Sequence, residues 1–210
     1  RGTPSAHLPP TAFVAFLQNH DQIGNRALGE RLSRLVEPQA LAAATLALLL
    51  SPMVPLLFMG EEWASERPFL FFTDHRNELA KAVREGRRAE FAAFSAFQDP
   101  ASRAAIPDPN DAATFEASKP DIEARDTSPH AEWLAFVRRL LAIRQAEIVP
   151  RLDGARALGA EALAEGAVVA RWQMNDDTRL VIAMNLGERT AATRAFGVGR
   201  CLFETREGVA

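Results

Sequence analysis

The chain has 210 residues, 48% hydrophobic and 24% charged, with a formal net charge of −3 and a sequence pI near 5.9. That length can bury a core in one or two domains, and the weak negative charge excludes a basic nucleic-acid footprint or an electrostatic membrane anchor. The single cysteine, Cys201, excludes an intrachain disulfide framework or a zinc site of several cysteines, and Ser51-Pro52 interrupts the longest apolar run short of the roughly 18 residues of a membrane span.

The first ten residues carry three prolines and read as a loop. Arg1 stands where a start Met or a signal peptide is expected, so the sequence reads as a piece of a longer, cytoplasmic protein. Thr11–Leu17 (TAFVAFL) is apolar on both faces, the pattern of a buried parallel strand, and runs into the polar string Gln18-Asn19-His20-Asp21-Gln22. Pro38–Leu50 (PQALAAATLALLL) predicts an Ala/Leu helix with proline in its first turn, stopped by Ser51-Pro52. A second apolar run, Met53–Met59, ends in Gly60-Glu61-Glu62-Trp63. Strand, buried helix and strand predict a βαβ unit with parallel strands. Both polar strings follow strand C-terminal ends, the rim where α/β folds build active sites.

Glu66–Pro129 is less regular. Pro68–Phe72 is apolar, and Asn77–Phe97 has helical spacing broken at Gly86. Asp99–Pro129, rich in Pro, Asp and Ser, reads as a long ordered loop. Ser128-Pro129 predicts the start of a helix to about Glu147. Trp133, Phe136, Val137, Leu140 and Leu141 lie on one face of it, with Arg138, Arg139 and Arg144 off that face. Ala167–Trp172 and Leu180–Leu186, separated by Asn175-Asp176-Asp177, read as an antiparallel hairpin, with Cys201–Glu204 as a further strand. The expected organisation is an α/β part over 1–150, with an insertion at about 64–129, and a small antiparallel β domain over 151–210.

Gln18 to Arg26 is the densest run of amide, imidazole, carboxylate and guanidinium groups in the chain. Such groups suit a polyhydroxylated ligand, because each sugar hydroxyl both donates and accepts. The same residues also serve as turn and helix-cap groups, and the pattern alone leaves both readings open. At Gly60-Glu61-Glu62-Trp63, Glu62 can hydrogen-bond sugar and Trp63 can stack on a sugar face, or Glu61 caps the following segment and Trp63 is core. Glu85, Arg87 and Arg88 read as a solvated helical face. Phe69, Phe71 and Phe72 read as core packing ahead of the alternative, the lining of a glucan groove. No metal or cofactor is expected, since no ligand-spaced His or Asp cluster and no Gly-rich phosphate loop is present.

PPTAFVAFLQNHDQIGNRALGERL resembles the fourth motif region of glycoside hydrolase family 13, the α-amylase family. With LLLSPMVPLLFMGEEW, PFLFFTDH, VREGRRAEF and DAATFEASK it resembles, more narrowly, the trehalose-releasing branch of that family. Enzymes of that branch cleave the α-1,4 bond next to the terminal trehalose of a malto-oligosyltrehalose. The resemblance implies the last two strands of a (β/α)₈ barrel followed by a small all-β domain. It makes Asp21 the carboxylate that orients sugar hydroxyls and favours the oxocarbenium-like transition state. It places His20 on the same sugar and Asn19 and Gln22 at the pocket or its supporting loop, with Glu62 and Trp63 as further glucan contacts. The implied substrate is a malto-oligosyltrehalose or another α-glucan, with neither nucleic acid nor membrane as partner.

A retaining glycosidase needs two carboxyl groups about 5 Å apart, a nucleophile and a general acid. The family carries them on barrel strands upstream of the Asn-His-Asp motif, and a complete barrel takes about 250 residues. Both are therefore expected in a missing N-terminal part, and this chain is expected to be inactive alone. The alternatives are a branching or debranching enzyme of the same family, or a non-catalytic glucan-binding module.

Overall fold

The computed structural model describes residues 3–5, 7–191 and 199–205; Arg1, where the sequence read as cut, lies outside them. In chain order the elements are β1 (Val14–Ala15), α1 (His20–Gly24), α2 (Leu32–Leu35), α3 (Pro38–Leu50), β2 (Val54–Pro55), α4 (Asn77–Glu90), α5 (Pro100–Ala104), α6 (Ala112–Ser118), α7 (His130–Ile143), β3 (Arg156–Ala164), β4 (Ala167–Gln173) and β5 (Arg179–Asn185). Among the described residues no helix is long and apolar enough to cross a membrane. The chain divides into two compact units, one of residues 1–17, 36–57 and 132–210, the other of residues 18–35 and 58–131.

In the first unit β1 and β2 pair in parallel, Val14 opposite Val54 and Ala15 opposite Pro55. The apolar runs around them are longer than the paired segments; Pro52, two residues before the donating Val54, supplies no N–H to extend the ladder. α3 spans the predicted residues, with Pro38 at its first position. Its carbonyl end is closed from two directions. Ser51 Oγ donates to the Leu48 carbonyl at 3.0 Å. The Arg144 guanidinium donates to the carbonyls of Leu49, Ser51 and Met53. Arg144 is buried, which corrects its expected place off the packed face. Burial lowers its pKa from the usual guanidinium value, and three carbonyl dipoles replace its water.

α7 begins at His130, after a cis Ser128–Pro129 peptide, and passes into a π-helical turn at Arg144–Ile148. Strands β3, β4 and β5 form one antiparallel sheet in that order. The predicted hairpin is β4–β5. Asp176 accepts from the Thr178 N–H and hydroxyl in its turn. β3 is an unpredicted strand, and Cys201–Glu204 is not a strand; Phe203 there packs on Phe136 with ring centroids 5.8 Å apart. The core joins Leu49 and Leu50 of α3, Val137 and Leu140 of α7, Ile148, Ala155, Met174 and Ile182.

The second unit contains no strand among its described residues. Its apolar cluster is small, Ala27, Phe91 and Ile106 with Phe97 against it. A ladder of edge-on rings, Phe58–Phe69–Phe72–Phe115, supplements it at 5.0, 5.7 and 5.2 Å between centroids. Asp99–Pro129 is not a continuous loop. It folds α5 and α6, whose first N–H groups are accepted by the side chains of Asp99 and Asp111, a cap signal legible in Asp99-Pro100 and Asp111-Ala112. Arg87 is buried rather than solvated. Its pKa is lowered by burial and partly restored by Glu90.

Candidate functional site

The polar string after β1 folds into a tight helix entry. Asn19 is the N-cap of α1. Its side-chain oxygen accepts from the Asp21 N–H at 2.7 Å, while the Gln22 side chain accepts from the Asn19 N–H at 3.0 Å. This reciprocal capping box satisfies N–H groups that a helix start otherwise leaves to water. One residue earlier Gln18 is buried, and its side-chain oxygen accepts from the Leu32 N–H at 3.1 Å. Three of the amide side chains in the string thus hold backbone.

His20 and Asp21 are left outside that scaffold. Their side chains are both 68% exposed, with His20 Nε2 3.4 Å from Asp21 Oδ1. Side by side they offer a carboxylate acceptor and an imidazole that both donates and accepts. Arg26 pairs with Glu30, four residues on, at 3.3 Å.

The second polar string makes a 3₁₀ turn, Glu61–Trp63, entered through Gly60 at φ 88°. A Cβ at Gly60 would stand 2.9 Å from the Ser65 Cβ, so only glycine fits this turn. Glu61 is buried. One carboxylate oxygen accepts from the Phe58 N–H at 2.9 Å, and the other is buried with no protein hydrogen-bond partner. Burial pushes its pKa up to about 7, against the pull of the Phe58 bond and Arg31, with Glu62 adding to the rise. Arg31, 1% exposed, donates to the Arg67 and Met59 carbonyls on either side of the turn and lies 5.3 Å from the Phe58 ring centre. Burial lowers its pKa, while Glu61 and Glu62 raise it. Glu62 is half-buried and Trp63 buried; the Trp63 carbonyl lies 2.9 Å from His130 Nδ1.

Farther along, Asp74 and His75 are exposed, and the His75 N–H donates to Asn110 at 2.9 Å. Among the described residues no group of three or more His, Cys, Asp or Glu is placed to hold a metal ion. Sequence reasoning missed the buried arginines, Arg31 and Arg87, whose partners are backbone carbonyls 28 to 63 residues away. No local spacing signals such a bond.

Residues 155–210 match a protein family described as a domain of unknown function, DUF3459. A malto-oligosyltrehalose trehalohydrolase of Deinococcus radiodurans is 40% identical over 196 residues, 89% of this chain and 32% of the relative. One of Arthrobacter ramosus is 48% identical over 139 residues, 66% of this chain and 23% of the relative. A crystal structure from Salmonella typhimurium, provisionally named an alpha amylase, superposes with a TM-score of 0.84 at 41% identity. It covers 97% of this chain and 34% of its own. The chain thus spans about a third of the Deinococcus and Salmonella proteins, and the resemblance read from its motifs is borne out.

Proposed function

We propose that this chain, which resembles the C-terminal region of the malto-oligosyltrehalose trehalohydrolases, is part of a retaining α-glucan hydrolase that releases trehalose from malto-oligosyltrehalose. A glycosidase of the α-amylase family is the broader reading, supported by the trehalohydrolase and alpha amylase relatives alike. In this proposal β1 and β2 are the last two strands of a (β/α)₈ barrel, and the Asn19–Gln22 and Gly60–Trp63 turns stand at its functional rim. Residues 151–210 are then the small β domain. The nucleophile and the general acid belong to the part of the enzyme outside this chain, so the chain alone is inactive.

One observation carries the assignment. Asn19 and Gln22 are spent on the backbone, while the adjacent His20 and Asp21 remain exposed side by side. Asp21 accepts hydrogen bonds from the sugar hydroxyls at the cleaved bond, and His20 binds the same ring. As the ring flattens toward the oxocarbenium-like transition state, the carboxylate holds those hydroxyls more tightly, which lowers the barrier rather than only binding the substrate. Asn19 and Gln22 keep the two in place. Glu62, half-buried, is the neighbouring glucan contact, and the buried Trp63 supports its turn from within rather than stacking on sugar.

Asp21→Asn in the intact enzyme carrying this chain should lower turnover about 100-fold or more, the scale of one lost transition-state contact. Its stability should stay within about 0.5 kcal/mol, because the carboxylate is exposed. Full turnover in Asp21→Asn sinks the assignment. Trehalose released from malto-oligosyltrehalose, against glucose or maltose released from plain maltodextrin, separates the trehalose-releasing reading from another α-amylase-family activity.

A further inference from the structure

The helix that presents His20 and Asp21 is five residues long, too short to persist through its own hydrogen bonds. The capping box holds its first turn. Its last carbonyls, like those of any helix, have no partner within it. They find one far along the chain. Arg87, on α4, donates from Nη2 to the Gly24 carbonyl at 2.6 Å and to the Arg26 carbonyl at 2.8 Å.

The guanidinium is well fixed. Arg87 is 7% exposed, and its charged group lies 5.0 Å from the Phe71 ring centre and 4.8 Å from that of Phe91. Its other terminal nitrogen reaches Glu90 at 3.3 Å. Two ring faces exclude water, so the bonds to Gly24 and Arg26 meet little competition from solvent. A cation also suits the carbonyl end of a helix. Both bonds leave one nitrogen, Nη2, while Nη1 is held by Glu90, so the planar group is fixed against three acceptors at once. The connection to Asp21 is direct, since the Asn25 N–H, between the two held carbonyls, donates to the Asp21 carbonyl at 3.0 Å. A shift of Gly24–Arg26 therefore moves the backbone of Asp21 itself.

We propose that Arg87 is a positioning residue of the reaction, and that the α4 segment of the insertion braces the α1 helix so that Asp21 meets the sugar in its productive orientation. This rests on the reading of Asp21 given above.

The test uses the intact enzyme with Arg87→Gln and Arg87→Lys, each alone and combined with Asp21→Asn. Misplacement by a fraction of an ångström costs rate steeply, so Arg87→Gln should lower kcat about tenfold or more, with Arg87→Lys between it and the parent. Combined with Asp21→Asn, Arg87→Gln should change kcat by less than about twofold, because a misplaced amide has little left to lose. Amide exchange at residues 22–26 should quicken, with α6 unchanged. An equal loss in both backgrounds, or exchange quickened throughout the second unit, shows a merely structural arginine and overturns the proposal. Full kcat in Arg87→Gln beside a crippled Asp21→Asn overturns it too. Full turnover in Asp21→Asn fails the underlying reading instead. If Arg87→Gln does not fold, Arg87→Lys and Phe71→Leu, which removes one ring from the guanidinium, carry the same comparison.

Discussion

The two units balance apolar packing and buried arginines differently, the first having Arg144 at the end of α3 beside a large core. In the first, α3, α7 and the β3–β4–β5 sheet share a continuous apolar core, with Leu49, Val137, Leu140 and Ile148 each at or below 1% exposure. In the second, Ala27, Phe91 and Ile106 form a much smaller cluster, and two buried arginines tie loops and helix ends through their carbonyls. A core of side chains tolerates change in its loops. A frame of guanidinium–carbonyl bonds fixes the loops themselves. The second unit carries both polar turns, where backbone position matters most.

The largest effect should come from that frame. Arg31→Met leaves the Met59 and Arg67 carbonyls without their donor and Glu61 without its nearby cation. The expected cost is about 4 kcal/mol, from two carbonyls left without their charged donor. It should be read as faster amide exchange across residues 58–67. If Arg31→Met is neutral, apolar packing suffices in both units and the contrast fails. Next come the two cores. Leu140→Ala, at 0% exposure in the large cluster, should cost about 3 kcal/mol. Ile106→Ala, at 1% in the small one, should cost less than Leu140→Ala because fewer neighbours close around it. Equal losses in urea unfolding would show the two cores to be alike.

The same contrast explains what the sequence made legible. α3 and the β4–β5 hairpin were readable because Ala/Leu composition behind a first-turn proline, and apolar runs around turn residues, are local signals, and the apolar core rewards both. β3 was not, since Arg156–Ala164 is rich in Ala and Leu and has the composition of a helix; its pairing with β4 decided the matter. In the second unit the capping role of Asn19 was available as one of two readings, and the structure shows the cap while leaving His20 and Asp21 exposed. Arg87 read as part of a solvated face, and Arg144 as off the packed face of its helix, because charge on a helix normally faces water. Each is buried against carbonyls supplied by a distant helix end, a partner with no residue identity and hence no sequence signature.

The smallest effect is the most specific to the second unit, a dependence of its stability on pH through Glu61. This carboxyl is buried with one oxygen unpartnered, and its pKa is raised from 4.5 to about 7. Between those values the unfolded chain has released the proton while the folded chain keeps it, so the folded state binds more protons and stability falls as pH rises. The loss begins near the unfolded value, is nearly complete just above the folded one, and amounts to about 2 kcal/mol between pH 5 and 7. Glu61→Gln keeps an acceptor for the Phe58 N–H and removes the titration. The slope of stability against pH should therefore flatten in this variant, with the gain over the parent greatest above pH 7. A flat parent slope in that window would mean that Arg31 holds Glu61 as a carboxylate already at pH 5. The frame of the second unit would then contain a formal ion pair instead of a buried acid beside a cation bonded to carbonyls.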